Sequence, residues 1–283
     1  MSTAPPSHAP TASPLLIARE GHVWRLPDLR EAWRYRELLW VFAARDIRVR
    51  YKQAVIGVAW AVVQPLFTMV AFTIVARIGS LSTDGLPPEV FYFCGMLPWL
   101  LFSSSVSSAA DSLVANQDLI TKVYFPRLIL PAAAIATALV DFAVSFVFLL
   151  GLMAAYRVVP PVQLLLLPLV AGLGVLTALG FGFWWSALTV RFRDVRHVTP
   201  FLLQLWLFGT PVLYSAAAVH HAWPRALLEL NPMTGVVEGF RWCMLGRGSP
   251  CRALAASAVT TIGVLASSLF YFRRVERTLA DDL

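Results

Sequence analysis

Six long stretches of this chain, 54–76, 90–110, 131–156, 162–190, 198–219 and 253–272, contain between them a single charged residue, Asp141. A bilayer core about 30 Å thick is crossed by roughly 20 apolar residues in helical form, and each stretch meets that length. No water is present at that depth to satisfy an open backbone, so a spanning segment must close its own hydrogen bonds as a helix. The expected fold is therefore an all-α integral membrane protein with six transmembrane helices. Composition agrees: 58% of residues are hydrophobic and 14% charged, against about 45–50% and 25% in soluble domains. A water-soluble globule and a disordered chain are both excluded. Pro168, Pro200 and Pro211 lie inside stretches four and five, where neighbouring helices can satisfy the freed backbone groups.

Arginine and lysine near the span ends set orientation. One side collects Arg34, Arg36, Arg45, Arg48, Arg50, Lys52, Lys122, Arg127, Arg191, Arg193, Arg196, Arg273, Arg274 and Arg277. The other has Arg77, Arg157, Arg225, Arg241, Arg247 and Arg252. The bias places both termini in the cytoplasm. The net charge of +7 then reflects topology and anionic lipid, and no nucleic-acid motif accompanies it. Residues 1–14 are Ala, Pro, Ser and Thr with one His after Met1, and they do not read as a cleavable leader. Residues 1–29 are expected to form a disordered cytoplasmic tail, and 273–283 are expected to be a short cytoplasmic tail. The membrane-spanning body is 54–272.

Between tail and body, residues 30–53 read as an amphipathic helix. Arg30, Arg34, Glu37, Val41, Arg45, Arg48 and Lys52 share one face; Trp33, Trp40, Ala43, Ile47 and Tyr51 fill much of another. A basic face beside an aromatic face suits a helix lying in the membrane interface. The segment from Asp111 to Leu130, centred on Asn116, Asp118, Lys122, Tyr124, Phe125, Pro126 and Arg127, is too polar to span and too patterned for a plain linker. A short helix there could present Lys122, Tyr124 and Phe125 to a cytoplasmic partner. Between spans five and six, 226–230 and 234–245 are apolar but far too short to cross. Pieces of that length suit re-entrant or interfacial helices, and Glu238 and Arg241 stand at i, i+3 on the second.

The chain carries no GxxxxGK[ST], so it has no P-loop with which to bind ATP. HExxH, CxxC and DxD are absent as well, and no metal site or cofactor is expected in this chain. Ser103, Ser104, Ser105, Ser107 and Ser108 cluster in stretch two without a GxSxG; they read as interhelical hydrogen-bond partners or pore lining. Gly174, Ala178 and Gly182 form a small-residue ridge suited to close packing. Asp141, midway along stretch three, should face the bundle interior. Alone it is weak support for a proton-coupled secondary transporter. Cys243 and Cys251 both fall on the outer side, where a disulfide could form; spacing leaves that open.

Several blocks together resemble the polysaccharide-exporting permeases of the ATP-binding-cassette type-2 family. They begin with Arg45, Asp46, Ile47, Arg48, Val49, Arg50, Tyr51, Lys52 and Gln53, followed by Gly57, Val58, Ala59 and Trp60 and then Gln64, Pro65 and Leu66. Further along come Lys122 to Arg127, Arg193 to His197, Asn231 to Thr234 with Glu238 to Arg241, and Phe272 to Arg277, in the family's order. The resemblance implies export of lipid-linked O-antigen, capsule or teichoic-acid polysaccharide across a bacterial inner membrane; export of a drug or other lipid is the alternative. It implies a homodimer docked on cytoplasmic ATPase subunits that hold ATP and Mg. The 116–127 segment becomes the coupling helix, and the 30–52 helix lies beside the substrate entrance. Asn231, Glu238 and Arg241 fall at an outer gate. A hydroxyl-rich glycan needs amides and aromatic faces along its path. Trp60, Gln64 and Phe67 on span one, with Gln204 and Phe208 on span five, supply both at helical spacing.

Overall fold

The computed structural model describes residues 33–52, 59–79, 83, 85–123, 125–214 and 228–282. The expected tail at 1–29, Tyr124 and residues 226–227 of the 226–230 piece lie outside the described residues, as do the side chains of Trp60 and 277–282. Among the described residues every regular element is helical. In chain order they are α1 (Arg36–Lys52), α2 (Trp60–Gly79), α3 (Pro88–Ala115), α4 (Gln117–Lys122), α5 (Ile129–Ala155), a 3-10 turn (Val162–Leu166), α6 (Leu167–Arg191), α7 (Val195–Phe208), α8 (Pro232–Leu245) and α9 (Cys251–Asp282).

Four of these are long and apolar enough to cross a membrane: α3, α5, α9, and α6 together with its leading 3-10 turn. Helix α3 is the hub, with α2, α5, α6, α7 and α8 all packed on it. Its face from Val90 to Leu97 is buried without a break. Helix α2 differs. It buries a single stripe, Pro65, Met69, Thr73 and Ala76, while Phe67, Val70, Ile74, Val75 and Ile78 are exposed. Helices meet closely where side chains vanish. A Cβ on Gly182 of α6 would stand 3.0 Å from Ala109 Cβ of α3 and 3.1 Å from Ile135 of α5, and Ala178 on the same ridge is fully buried. Across α6 and α9, Thr177 and Thr261 hydroxyls meet at 2.8 Å, the kind of interhelical polar contact that holds helices together in lipid.

Three expectations change. The fifth stretch is helical for 14 residues, Val195–Phe208, about 21 Å at 1.5 Å per residue. Its continuation at Gly209 to Tyr214 is a series of turns, because Pro211 has no N–H to give and disfavours α geometry at Thr210. The 273–283 tail is not a separate element, since α9 runs unbroken from Cys251 to Asp282. The aromatic face expected on the pre-span helix divides. Ala43 is buried, with Phe42, in a cluster that also holds Leu113, Phe125, Ile129 and Phe272, while Trp33 and Trp40 are 71% and 67% exposed. So α1 packs on protein through one side, mainly on α5, and leaves Trp40 outward, like Trp33 just before it.

Helix α8 shows why the Asn231-Pro232 step begins a helix rather than only breaking one. The Asn231 side chain accepts from Met233 N at 3.0 Å as an N-cap, and Pro232 fills the first turn, where its missing N–H costs nothing. Gly246 ends the helix in the left-handed region at φ 68°. The helix is buried almost all round, and it lies on α9 through Gly235. A Cβ there would stand 2.3 Å from Ala253 O and 2.4 Å from Ser257 Oγ. Gly235→Ala is therefore expected to lower the thermal midpoint of the detergent-solubilised protein by several degrees. Gly263→Ala on α9, with nothing within 4 Å of the added carbon, should leave it unchanged or raise it. Equal midpoints for the two variants would show that the α8–α9 contact is loose.

Candidate functional site: a polar cavity among α1, α2, α3, α5 and α7

The main cavity, about 810 Å³, opens between five helices. Helix α1 contributes Arg50 and Tyr51; α2 contributes Gln64 and Thr68; α3 contributes Trp99, Ser103, Ser104 and Ser107; α5 contributes Asp141, Phe142 and Ser145; α7 contributes Leu203 and Gln204. Pro65, Met96, Leu97, Leu100, Pro200 and Leu207 also line it, so the hydroxyl, amide and charged groups form polar patches on a mostly apolar wall.

One polar cluster fixes its floor. The Arg50 guanidinium donates to Asp141 Oδ2 and the Tyr51 hydroxyl donates to Asp141 Oδ1, so both carboxylate oxygens are taken from the same helix end. Arg50 also reaches Ser108 Oγ at 3.5 Å. A carboxylate midway along a membrane helix is costly unless paired, and here the pre-span helix supplies the cation. Burial, and then the hydrogen bond to Asp141, pushes the Tyr51 phenol up to about 12. It stays protonated, hence a donor, throughout the physiological range.

Other predicted residues fall in three groups. Gln64 and Gln204 both line this cavity, whereas Phe67 and Phe208, 70% and 58% exposed, point outward and are not part of its wall. In the 116–127 segment, α4 exposes Asp118 and Lys122, and Val123 follows them on the surface. Phe125 does the opposite of what its sequence position implied. It is 5% exposed and its ring meets Phe42 at 5.7 Å, because Pro126 turns the chain back into the bundle just as Ile120 anchors α4. Asn116 accepts from Arg45 at 2.9 Å and gives to Ser112 O at 2.8 Å; Arg127 donates to Glu276 O on α9 at 2.7 Å. These two join the segment to the bundle rather than offering it outward. On α1, Arg48 and Lys52 are exposed.

The residues assigned to an outer gate form a clamp. Asn231 Nδ2 donates to Gly209 O at 3.0 Å and Thr210 Oγ1 at 2.9 Å. Arg241, 5% exposed, donates to the carbonyls of Pro211 at 2.6 Å, of Tyr214 at 3.2 Å, and of Val212. Its guanidinium lies 4.0 Å from the Phe91 ring centroid and passes over Gly95, where a Cβ would be 2.3 Å away. Carbonyls left open where α7 unwinds thus find donors on α8. Glu238 is half-buried on the same helix. The three cysteines are free: Cys243 is buried in a cluster with Cys94, while Cys251 is exposed, so the outer disulfide left open by sequence is not formed.

Sequence reasoning missed Arg50 and Tyr51 as partners of Asp141. A signal was there: Arg50 lies off the charged stripe of its helix, one arginine out of place beside a lone intramembrane carboxylate.

Residues 37–245 match the family described as ABC-2 type transporter. The chain belongs to that family. It is 33% identical over 254 residues to the O-antigen export system permease protein RfbA of Myxococcus xanthus, covering 88% of this chain and 96% of that one. It is 26% identical over 207 residues to the protein of the same description from Klebsiella pneumoniae, covering 72% and 79%. It is also 24% identical over 238 residues to the polysialic acid transport protein KpsM of Escherichia coli, covering 83% and 92%. This ABC-2 chain is accordingly a membrane component of a transporter.

The clamp generates a prediction. Leaving a buried acceptor without its donor costs about 1–3 kcal/mol, and Arg241→Met strands three. The variant is expected to melt several degrees below the unaltered protein in detergent, with Arg241→Lys between them because one ammonium reaches fewer carbonyls. Identical melting for all three would show that the α7–α8 corner is held by apolar packing alone.

Proposed function

We propose that this chain is the permease subunit of an ATP-driven exporter that moves lipid-linked polysaccharide across the cytoplasmic membrane. The observation that carries the reading is the cavity. Hydroxyls and amides of Gln64, Thr68, Ser103, Ser104, Ser107 and Gln204 line it beside the aromatic rings of Trp99 and Phe142, which is the mix a glycan's hydroxyls and sugar faces require. The named activities of the relatives, O-antigen export and polysialic acid transport, both concern polysaccharides, of which polysialic acid is the polyanionic kind. The Arg50–Asp141 pair makes a proton-coupled carrier the weaker reading, because both oxygens of that carboxylate are already engaged by Arg50 and Tyr51.

In this reading a cytoplasmic ATPase subunit holds ATP and Mg, and a second copy of the chain completes the path. Six segments span the inner membrane, with both termini cytoplasmic as the basic bias requires. Helices α2 and α7 are the two spans of which the described helices cover only part. Trp33 and Trp40 enter the lipid interface beside Arg45, Arg48 and Lys52, at the substrate entrance. Helix α4 is the coupling element, and its contact surface is Asp118, Thr121, Lys122 and Val123, all exposed. Helix α8 is a re-entrant piece at the exit.

Loss of the chain in its native host is expected to abolish surface polysaccharide by immunoblot while lipid-linked glycan accumulates inside. Coupling has its own test. Lys122→Glu with Val123→Asp should weaken co-purification of the partner ATPase at least severalfold and leave melting unchanged. Phe125→Asp should instead lower the melting temperature, since it places a charge in a buried aromatic contact. Undiminished ATPase binding by the first variant would remove α4 as the coupling surface.

A further inference from the structure

We propose that this cavity accepts a neutral, hydroxyl-rich glycan and turns away a polyanionic one. The proposal rests on the reading of the cavity as the glycan path and adds the charge class of the substrate. Among the described lining residues two carry full charge, Arg50 and Asp141, and they are paired to each other. The guanidinium that an anionic sugar would need is already committed to Asp141, with Ser108 Oγ at 3.5 Å as its other contact.

The remaining polar groups of the wall are neutral hydroxyls and amides. They exchange hydrogen bonds with sugar hydroxyls at little net cost, because each water partner is replaced by an equivalent one. A carboxylate brought to the same place loses hydration and gains no cation, and that balance is unfavourable in a low-dielectric site. A chain with an acid on every sugar meets the penalty at each step. Repulsion from Asp141 adds to it wherever the carboxylate side of the pair faces the chain. Specificity here is thus set by what the site lacks toward the wrong substrate as much as by what it offers the right one.

The experiment uses the full chain in lipid nanodiscs, in a Cys251→Ala background so that the exposed native thiol is silent. Ser104→Cys places a thiol in the cavity wall, and its rate of labelling by a small uncharged maleimide is followed. The probes are a neutral gluco-oligosaccharide and an oligosialic acid of equal length. The neutral probe is expected to slow labelling severalfold, and the anionic probe to leave it unchanged. Asp141→Asn frees the charge of Arg50 and is expected to tighten protection by the anionic probe about tenfold, the scale of one newly available ion contact. Arg50→Gln with Asp141→Asn removes both charges together and is expected to keep the neutral preference, so the result does not depend on a variant with a stranded charge. Protection by oligosialic acid equal to that by the neutral probe, with Arg50 and Asp141 in place, overturns the inference. Absence of protection by either probe overturns the glycan-path reading beneath it.

Discussion

The ion pair between Arg50 and Asp141 is the contact on which the arrangement of the site depends. Asp141 sits midway along a 27-residue apolar helix, where an unpaired carboxylate would be expelled or neutralised. Arg50 and Tyr51 occupy its two oxygens, and because they are adjacent near the end of α1, satisfying the carboxylate also docks that helix. Docking is completed near the middle of the helix by Phe42 and Ala43, in the cluster with Phe125 and Phe272. The amphipathic segment is therefore a wall of the cavity as well as a candidate lipid-interface element.

The opposite end of the molecule follows a related logic with backbone in place of carboxylate. Where α7 unwinds at Gly209 to Tyr214, carbonyls are left open inside an apolar bundle. Asn231 and Arg241 take them up. Both donors belong to α8 or its cap, and α8 is itself set against α9 by the missing side chain of Gly235. The end of α7, α8 and the start of α9 are thus one connected unit. Helix α2, buried along a single stripe, keeps much of its surface outside the bundle.

Much of this was legible in the sequence because lipid imposes a simple demand. Length and absence of charge located α3, α5, α6 and the start of α9 to within a few residues. The same rule overran at 198–219, where Pro211 outweighs apolarity, and stopped short at 273–283, where a charged surface hides the continuation of α9. The coupling segment was legible as a patterned break, but not in its facing: Phe125 reads as a docking residue only if Pro126 is taken as a chain end rather than a turn back inward. Helical spacing singled out Gln64 on span one and Gln204 on span five, and both line the cavity. Phe67 and Phe208, on the same spacing, face away, because spacing fixes a stripe and not the direction in which its edges point. The pairing of Arg50 with Asp141 joins residues 91 positions apart, and no local pattern encodes it.

Charge exchange between the two partners tests the central claim most directly. Arg50→Asp and Asp141→Arg are each made alone and then together, with surface polysaccharide quantified by immunoblot and chain abundance in the membrane measured in parallel. Each single change places like charges face to face and is expected to reduce export at least tenfold at comparable abundance, while the exchanged pair restores a substantial part of it. Full export by either single variant, or no recovery in the exchanged pair at normal abundance, would contradict the account that this ion pair builds the transport cavity.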